Sequence, residues 1–186
     1  SFYLAKNLDY CHPGLESKIY LNHPLRVANL IVQNLLNIDD ILLATALLHN
    51  IKEVSPNQYQ DGMKSLPEEI KNAVEALTVD RSRQYDKTYK IKYYLNIESY
   101  SPLASQVKVF DKIDNLFMIC FNPDSEIRRS YLQEIEDFVL PLAKKYTNSN
   151  VMNTLKLSVD EANSVGYLDK DFELIKARDA RDRKLL

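Results

Sequence analysis

Apolar residues recur at three- and four-residue steps along most of this chain, and the recurrence is broken at prolines and polar clusters. In residues 22–36, NHPLRVANLIVQNLL, the positions Leu25, Ala28, Leu30 or Ile31, Val32 and Leu35 supply one apolar face, and Pro24 suits a helix's first turn. Residues 40–54 are almost wholly apolar as far as Leu48, which predicts a helix surrounded by others, capped by Asp39 or Asp40. That run turns polar at His49, Asn50 and Glu53. Before these, a first helix is predicted over 2–10, ended by CHPG at 11–14, with a loop to about Asn22. After them, SPNQYQDGMKS at 55–65 reads as a surface loop, and Ser65 with Glu68 as a capping-box start for a helix over 66–78.

The polar segment 79–89 is either a connector or the solvated start of a long helix reaching about residue 98. Tyr85, Tyr89, Tyr93 and Tyr94 would then share that helix, where tyrosines at helical spacing form the rim of a core. In 101–121, SPLASQVKVFDKIDNLFMICF, Pro102 falls in the first turn and Val107, Phe110, Ile113, Leu116 or Phe117, and Ile119 or Cys120 follow the helical period. Asp111 interrupts that period, and Asn115 shares its face. Helices over 124–146, 148–164 and 169–183 complete the expectation, the last charged and peripheral.

Composition narrows the fold class to all-α. Only three glycines occur in 186 residues, which leaves little material for tight hairpins or a glycine-rich phosphate loop. The length fits one domain with a sizeable core. With 24 basic and 26 acidic residues dispersed along the chain, no polybasic tract marks a nucleic-acid binder. The longest apolar run, ILLATALL at 41–48, is far too short for a membrane span, which needs about 20 residues. Two distant cysteines, Cys11 and Cys120, without a CxxC or a secretory leader, fit a reducing cytoplasm and are expected as core thiols.

Chemistry enters through three separated positions. His23 stands at the start of one predicted helix and His49 at the end of the next, so a short connection brings both imidazoles to one end of an antiparallel pair. An aspartate on an apolar face, as at position 111, needs a cation or several donors to offset its desolvation; a salt bridge to Lys108 or Lys112 near the helix surface is the plainer reading. Two imidazoles with oxygens from Asn50 and Asp111 make an N/O donor set suited to a divalent metal, manganese first, with zinc or iron also compatible.

The order His23, then His49-Asn50, then Asp111 resembles the pattern of the HD phosphohydrolase superfamily, a histidine, a His-Asp pair and a distant aspartate. YLNHPLRVANLI, ATALLHNIKEV and VKVFDKIDNL are similar to the motifs of the ppGpp hydrolase domain of stringent-response enzymes and of small alarmone hydrolases, and FVLPLAKKY at 138–146 to the segment that follows them. The resemblance spans 2–146. It implies an all-α HD-domain helical bundle over 1–146, with 147–186 as a C-terminal helical extension packed on the same domain. It also implies metal-dependent hydrolysis of a phosphorylated nucleotide, with ppGpp 3′-pyrophosphohydrolysis the leading reading.

In that reading His23, His49, Asn50 and Asp111 hold the metal. Glu53, on the face of His49, orients or deprotonates the attacking water. Asn115 meets ribose or phosphate, and Lys18, Arg26, Lys52, Lys108 and Lys112 are the candidate phosphate partners. The chain departs from the pattern in carrying Asn50 for the paired aspartate and Glu53-Val54 for a Glu-Asp pair, and its 11–22 loop lacks an arginine-lysine pair. The alternative is accordingly a catalytically weakened or inactive member whose pocket binds a nucleotide or a protein partner. The oligomeric state is left open.

Overall fold

A computed structural model of the chain describes residues 1–11, 17–119, 122 and 124–164, without the side chains of residues 17, 18 and 164. Cys120 and the helix expected over 169–183 lie outside the described residues. Among those described, the elements are helical throughout. They are α1 (Phe2–Lys6), α2 (Ser17–Tyr20), α3 (Asn22–Asn34), α4 (Asp40–Leu48), α5 (Ile51–Val54), α6 (Pro56–Met63), α7 (Glu68–Leu77), α8 (Lys87–Tyr100), α9 (Pro102–Met118), α10 (Ser125–Glu134), α11 (Leu140–Tyr146) and α12 (Ser149–Ser164). A 3₁₀ turn at Arg81–Arg83 precedes α8, and a π-helical turn at Ile135–Val139 joins α10 to α11, dividing the helix expected over 124–146.

Local chemistry explains most boundaries. Asp39, Asp80, Asp86, Ser101 and Asp124 each accept a backbone N–H at the start of the element that follows, satisfying donors that a first helical turn leaves open. The capping box expected at Ser65 does not form: Pro67 takes the cap position of α7 with no side-chain bond, and its fixed φ opens the helix instead.

Three further expectations are corrected. Residues 55–65 are not a loop: Pro56 in the first turn starts α6, which buries Tyr59 and Met63. Gly62 permits this packing, because a Cβ there would stand 3.0 Å from Leu4 Cδ1 of α1. The first helix ends at Lys6, although Leu8 and Tyr10 beyond it are still buried. Cys11 is an exposed free thiol, its backbone N–H tied to the Val54 carbonyl, so its position follows from that bond and not from burial of sulfur.

Helix α9 is the axis of the fold. It packs against α3, α4, α7, α8 and α11, and even its polar residues Ser105, Lys108, Asp111, Lys112 and Asp114 are buried. The main core joins Val27 and Ile31 of α3, Val107, Phe110 and Ile113 of α9, and Ile135 and Val139 of the π turn; Val32, expected on the inner face of α3, is exposed. Val151, Leu155, Val159 and Ala162 of α12 belong to the same core. A second cluster gathers α1, α4, α5, α6 and part of α7 around Leu48 and Ile51. Tyr93 and Tyr94 are buried, the latter stacked on Phe138, whereas Tyr85 lies before α8 and is exposed.

One buried charge cluster ties three elements together. Glu134 accepts from Lys112 Nζ at 2.6 Å, Lys90 Nζ at 2.8 Å and the Tyr94 hydroxyl at 2.7 Å. Burial alone would raise its pKa, but the ammonium groups, Lys112 foremost, outweigh burial and hold it at about 2 against an ordinary 4.5. A lowered folded-state pKa stabilises above the unfolded value and loses that contribution as pH falls through the folded one. Glu134→Gln is therefore expected to destabilise at neutral pH by about 3 kcal/mol at most. The gap to the unsubstituted chain should close between about pH 4.5 and pH 2, which urea melts across that window measure.

Candidate metal centre

The helix expected over 40–54 breaks exactly where its polarity changes, at His49 and Asn50. Both leave the α4 helix, Asn50 with φ −120° and ψ 14°, and the Asn50 carbonyl then accepts the N–H groups of Glu53 and Val54 to start α5. The two side chains are buried at the junction instead of lying on a helix surface. His23 comes from the first turn of α3, which packs along α4, and Asp111 from the middle of α9, which crosses both.

These elements bring three donor atoms together. His23 Nε2 lies 3.2 Å from His49 Nε2 and 3.3 Å from Asp111 Oδ1, and His49 Nε2 lies 3.6 Å from the same oxygen. The other nitrogen of each ring is already engaged: His49 Nδ1–H donates to the Ala46 carbonyl at 2.7 Å, and His23 Nδ1–H to Asp114 Oδ2 at 2.7 Å. Both Nε2 lone pairs thus face each other across a carboxylate, an arrangement that repels unless a proton or a cation lies among them. Ligand atoms on one zinc-like ion, each about 2.1 Å from it, stand roughly 3.0–3.4 Å apart. The two separations from His23 Nε2 match this and the third, at 3.6 Å, is slightly wider, so a small closure fits the set to a divalent cation.

The protonation pattern agrees with this. Burial works against an imidazolium at His23, but Asp111 and Asp114 outweigh it and raise its pKa to about 9. Asp111 is held well below the usual carboxylate range: burial would raise it, and Lys108, His23 and His49 together prevail. Lys108 Nζ reaches Asp111 Oδ2 at 2.9 Å and lies over the Tyr93 ring, while Asn115 Nδ2 donates to Asp111 Oδ1 at 2.8 Å. The Asp111–Lys108 salt bridge is therefore real, but buried and not near the helix surface. Asn50 Nδ2 donates to the Tyr20 hydroxyl, which leaves the amide's carbonyl end as its remaining polar atom.

The other candidates are placed differently. Glu53 accepts the Val79 N–H at 2.9 Å on one oxygen and Arg81 Nε at 2.7 Å on the other, bracing the end of α5 against the turn after α7. Arg26 clasps Asp114 through Nε and Nη2 with its side chain half exposed. Lys52 is committed to Glu75 and Lys112 to Glu134, and the Lys18 side chain lies outside those described. Two residues escaped the sequence reading. Asp114 is one turn beyond Asp111 in DKIDNL, and that i, i+3 spacing was the available signal. Tyr20 had none, since only the packing of α2 beside α3 takes its hydroxyl to Asn50.

No family model matches the chain. Guanosine-3′,5′-bis(diphosphate) 3′-pyrophosphohydrolase MESH1 of Drosophila melanogaster is 27% identical to it over 148 residues, 76% of this chain and 78% of the relative. A solved structure, described as a metazoan orthologue of SpoT that hydrolyses ppGpp, superposes with a TM-score of 0.64 at 24% identity, covering 89% of this chain and 91% of that one. The chain has the HD-domain fold. In this fold the histidine of α3, the histidine at the α4–α5 break and the aspartate of α9 meet in one cluster. The relationship to these hydrolases agrees with the order of motifs read along the sequence. No helix among the described residues is long and apolar enough to cross a membrane.

Proposed function

We propose that this chain is a metal-dependent HD-type phosphohydrolase that removes pyrophosphate from the 3′ position of ppGpp or a closely similar nucleotide, in the cytoplasm and with Mn²⁺ as its metal. The observation that carries the reading is the convergence of His23 Nε2, His49 Nε2 and Asp111 Oδ1 within 3.6 Å, with both Nδ1 protons directed away. The relatedness to MESH1 supports the substrate class.

His23, His49 and Asp111 are the residues that would hold the cation, with the side-chain oxygen Oδ1 of Asn50 as a neutral fourth donor. A bound divalent cation supplies there a water of lowered pKa and positive charge at a phosphoryl oxygen. Glu53, held by the Val79 N–H and Arg81, is the proposed group that orders and deprotonates the attacking water. Asn115 fixes Asp111 and is the proposed amide for ribose or phosphate. Arg26 is the half-exposed cation beside the site and the first proposed phosphate partner; Lys18, Lys52, Lys108 and Lys112 follow it, the last two after their carboxylate pairs.

Pyrophosphate release from ppGpp and a panel of other nucleotides, with metal analysis of the same preparation, tests this. Turnover that stops with chelator and returns with Mn²⁺ is expected, with ppGpp preferred. A preparation that retains no metal and releases no pyrophosphate would overturn the reading.

A further inference from the structure

Asp114 has no place in the donor set, yet among the described residues its carboxylate is one of the most buried charges, with its side chain 3% exposed. Oδ2 accepts His23 Nδ1–H at 2.7 Å and Arg26 Nη2–H at 2.9 Å, and Oδ1 accepts Arg26 Nε–H at 2.7 Å. Asp111 and Asp114, three residues apart on α9, therefore address the two nitrogens of one imidazole. The pair with Arg26 does not explain the burial by itself. Arg26 is half exposed, and an ion pair with such a partner contributes about 0–1 kcal/mol, less than the several kcal/mol that desolvating a carboxylate costs. The contact that gives the burial a purpose is the one to His23.

The two histidines are prepared differently. His49 receives its tautomer from a neutral acceptor, the Ala46 carbonyl; His23 receives the same tautomer from a carboxylate clamped in place by a guanidinium. An ionised carboxylate can only accept, so Nδ1 must carry the hydrogen, and Nε2 is the nitrogen that exchanges its proton for a cation. A carboxylate behind a ligating histidine also makes the ring a stronger donor and adds negative charge beside the cation. The donor set itself is short of charge, because Asn50 is neutral and Asp111 alone is anionic among its members.

We propose that Asp114 is a positioning residue that fixes His23 for metal binding and supplies, through that ring, the negative charge that the amide at position 50 lacks. The inference rests on the metal-centre reading above. It predicts that positions 50 and 114, whose side chains bond to different partners, Tyr20 for the one and His23 with Arg26 for the other, are energetically coupled.

Zn²⁺ affinity, read by competition with a chromophoric chelator on metal-free protein, tests the coupling in four chains: unsubstituted, Asp114→Asn, Asn50→Asp and the double variant. Asp114→Asn is expected to weaken binding about 10- to 100-fold with Asn50 present. In the Asn50→Asp background the loss should shrink to less than about fivefold. In the Zn²⁺-loaded unsubstituted protein, proton NMR should show a far-downfield imidazole N–H from His23 Nδ1. That signal needs no variant to fold. Its absence, no loss on Asp114→Asn, or an equal loss in both backgrounds would each overturn the proposal while leaving the metal centre standing. If neither the unsubstituted chain nor Asn50→Asp binds Zn²⁺, the metal-centre reading falls first and this inference with it.

Discussion

Asp111→Ala is expected to abolish metal retention and turnover and to lower folding stability by about 3–5 kcal/mol. The carboxylate serves both purposes at once. Oδ1 faces the two Nε2 atoms, and Oδ2 is the partner of the Lys108 ammonium at 2.9 Å. Lys108 is 6% exposed, so its charge is left in the interior without an anion when Asp111 is removed. Its pKa, which Asp111 holds well above the ordinary value despite burial, should then drop. Adding Lys108→Met separates the two roles, since removing both members of a buried pair is far cheaper than removing one. The double variant should recover most of the stability in a urea melt and none of the metal. A double variant as unstable as Asp111→Ala would show that the pair is not what the single substitution breaks.

Asn50→Asp should act in opposite directions on the metal-free and metal-loaded protein. Position 50 is 8% exposed and is hydrogen-bonded to Tyr20, a residue on which the Asp111 charge also acts. Without a cation, a second buried carboxylate adds like-charge repulsion and desolvation, so the metal-free variant should melt lower than the unsubstituted chain. With a divalent cation the sign reverses, because an anionic oxygen replaces a neutral one; affinity should rise roughly 10- to 100-fold. The Tyr20 hydroxyl accommodates the change by donating to the new carboxylate where it now accepts from the amide. Thermal melts with and without Mn²⁺ check this directly: the metal-induced rise in melting temperature should be larger in Asn50→Asp. An equal rise in the two proteins would place the side chain at position 50 outside the donor set.

The particular elements show which information was local. The apolar runs of α3, α4 and α9, with Pro24 and Pro102 in the first turns of α3 and α9, are short-range features, and they located α3, α9 and the start of α4 to within a few residues. The break after Leu48 was legible only as a change of polarity; its conformational consequence, two buried side chains at a junction, needed the neighbouring helices in place. Helix α6 was hidden because SPNQYQDGMKS is mostly polar, and its stability comes from burying Tyr59 and Met63 in the second core. Lys52 and Lys112 read as candidate phosphate partners because their carboxylates, Glu75 and Glu134, stand 23 and 22 positions away on other elements.

Sequence alone determined the helical class, the order of the main helices and the candidacy of His23, His49, Asn50 and Asp111, because periodicity, proline placement and residue chemistry act over one or two turns. Tertiary structure decided how those residues face one another: which ring nitrogens point inward, that Asp114 reaches His23 across 91 positions, and that Lys108 is bound to Asp111. Those outcomes depend on the crossing of α3, α4 and α9, and the contacts between helix faces that set it are not encoded in the spacing along any one of them.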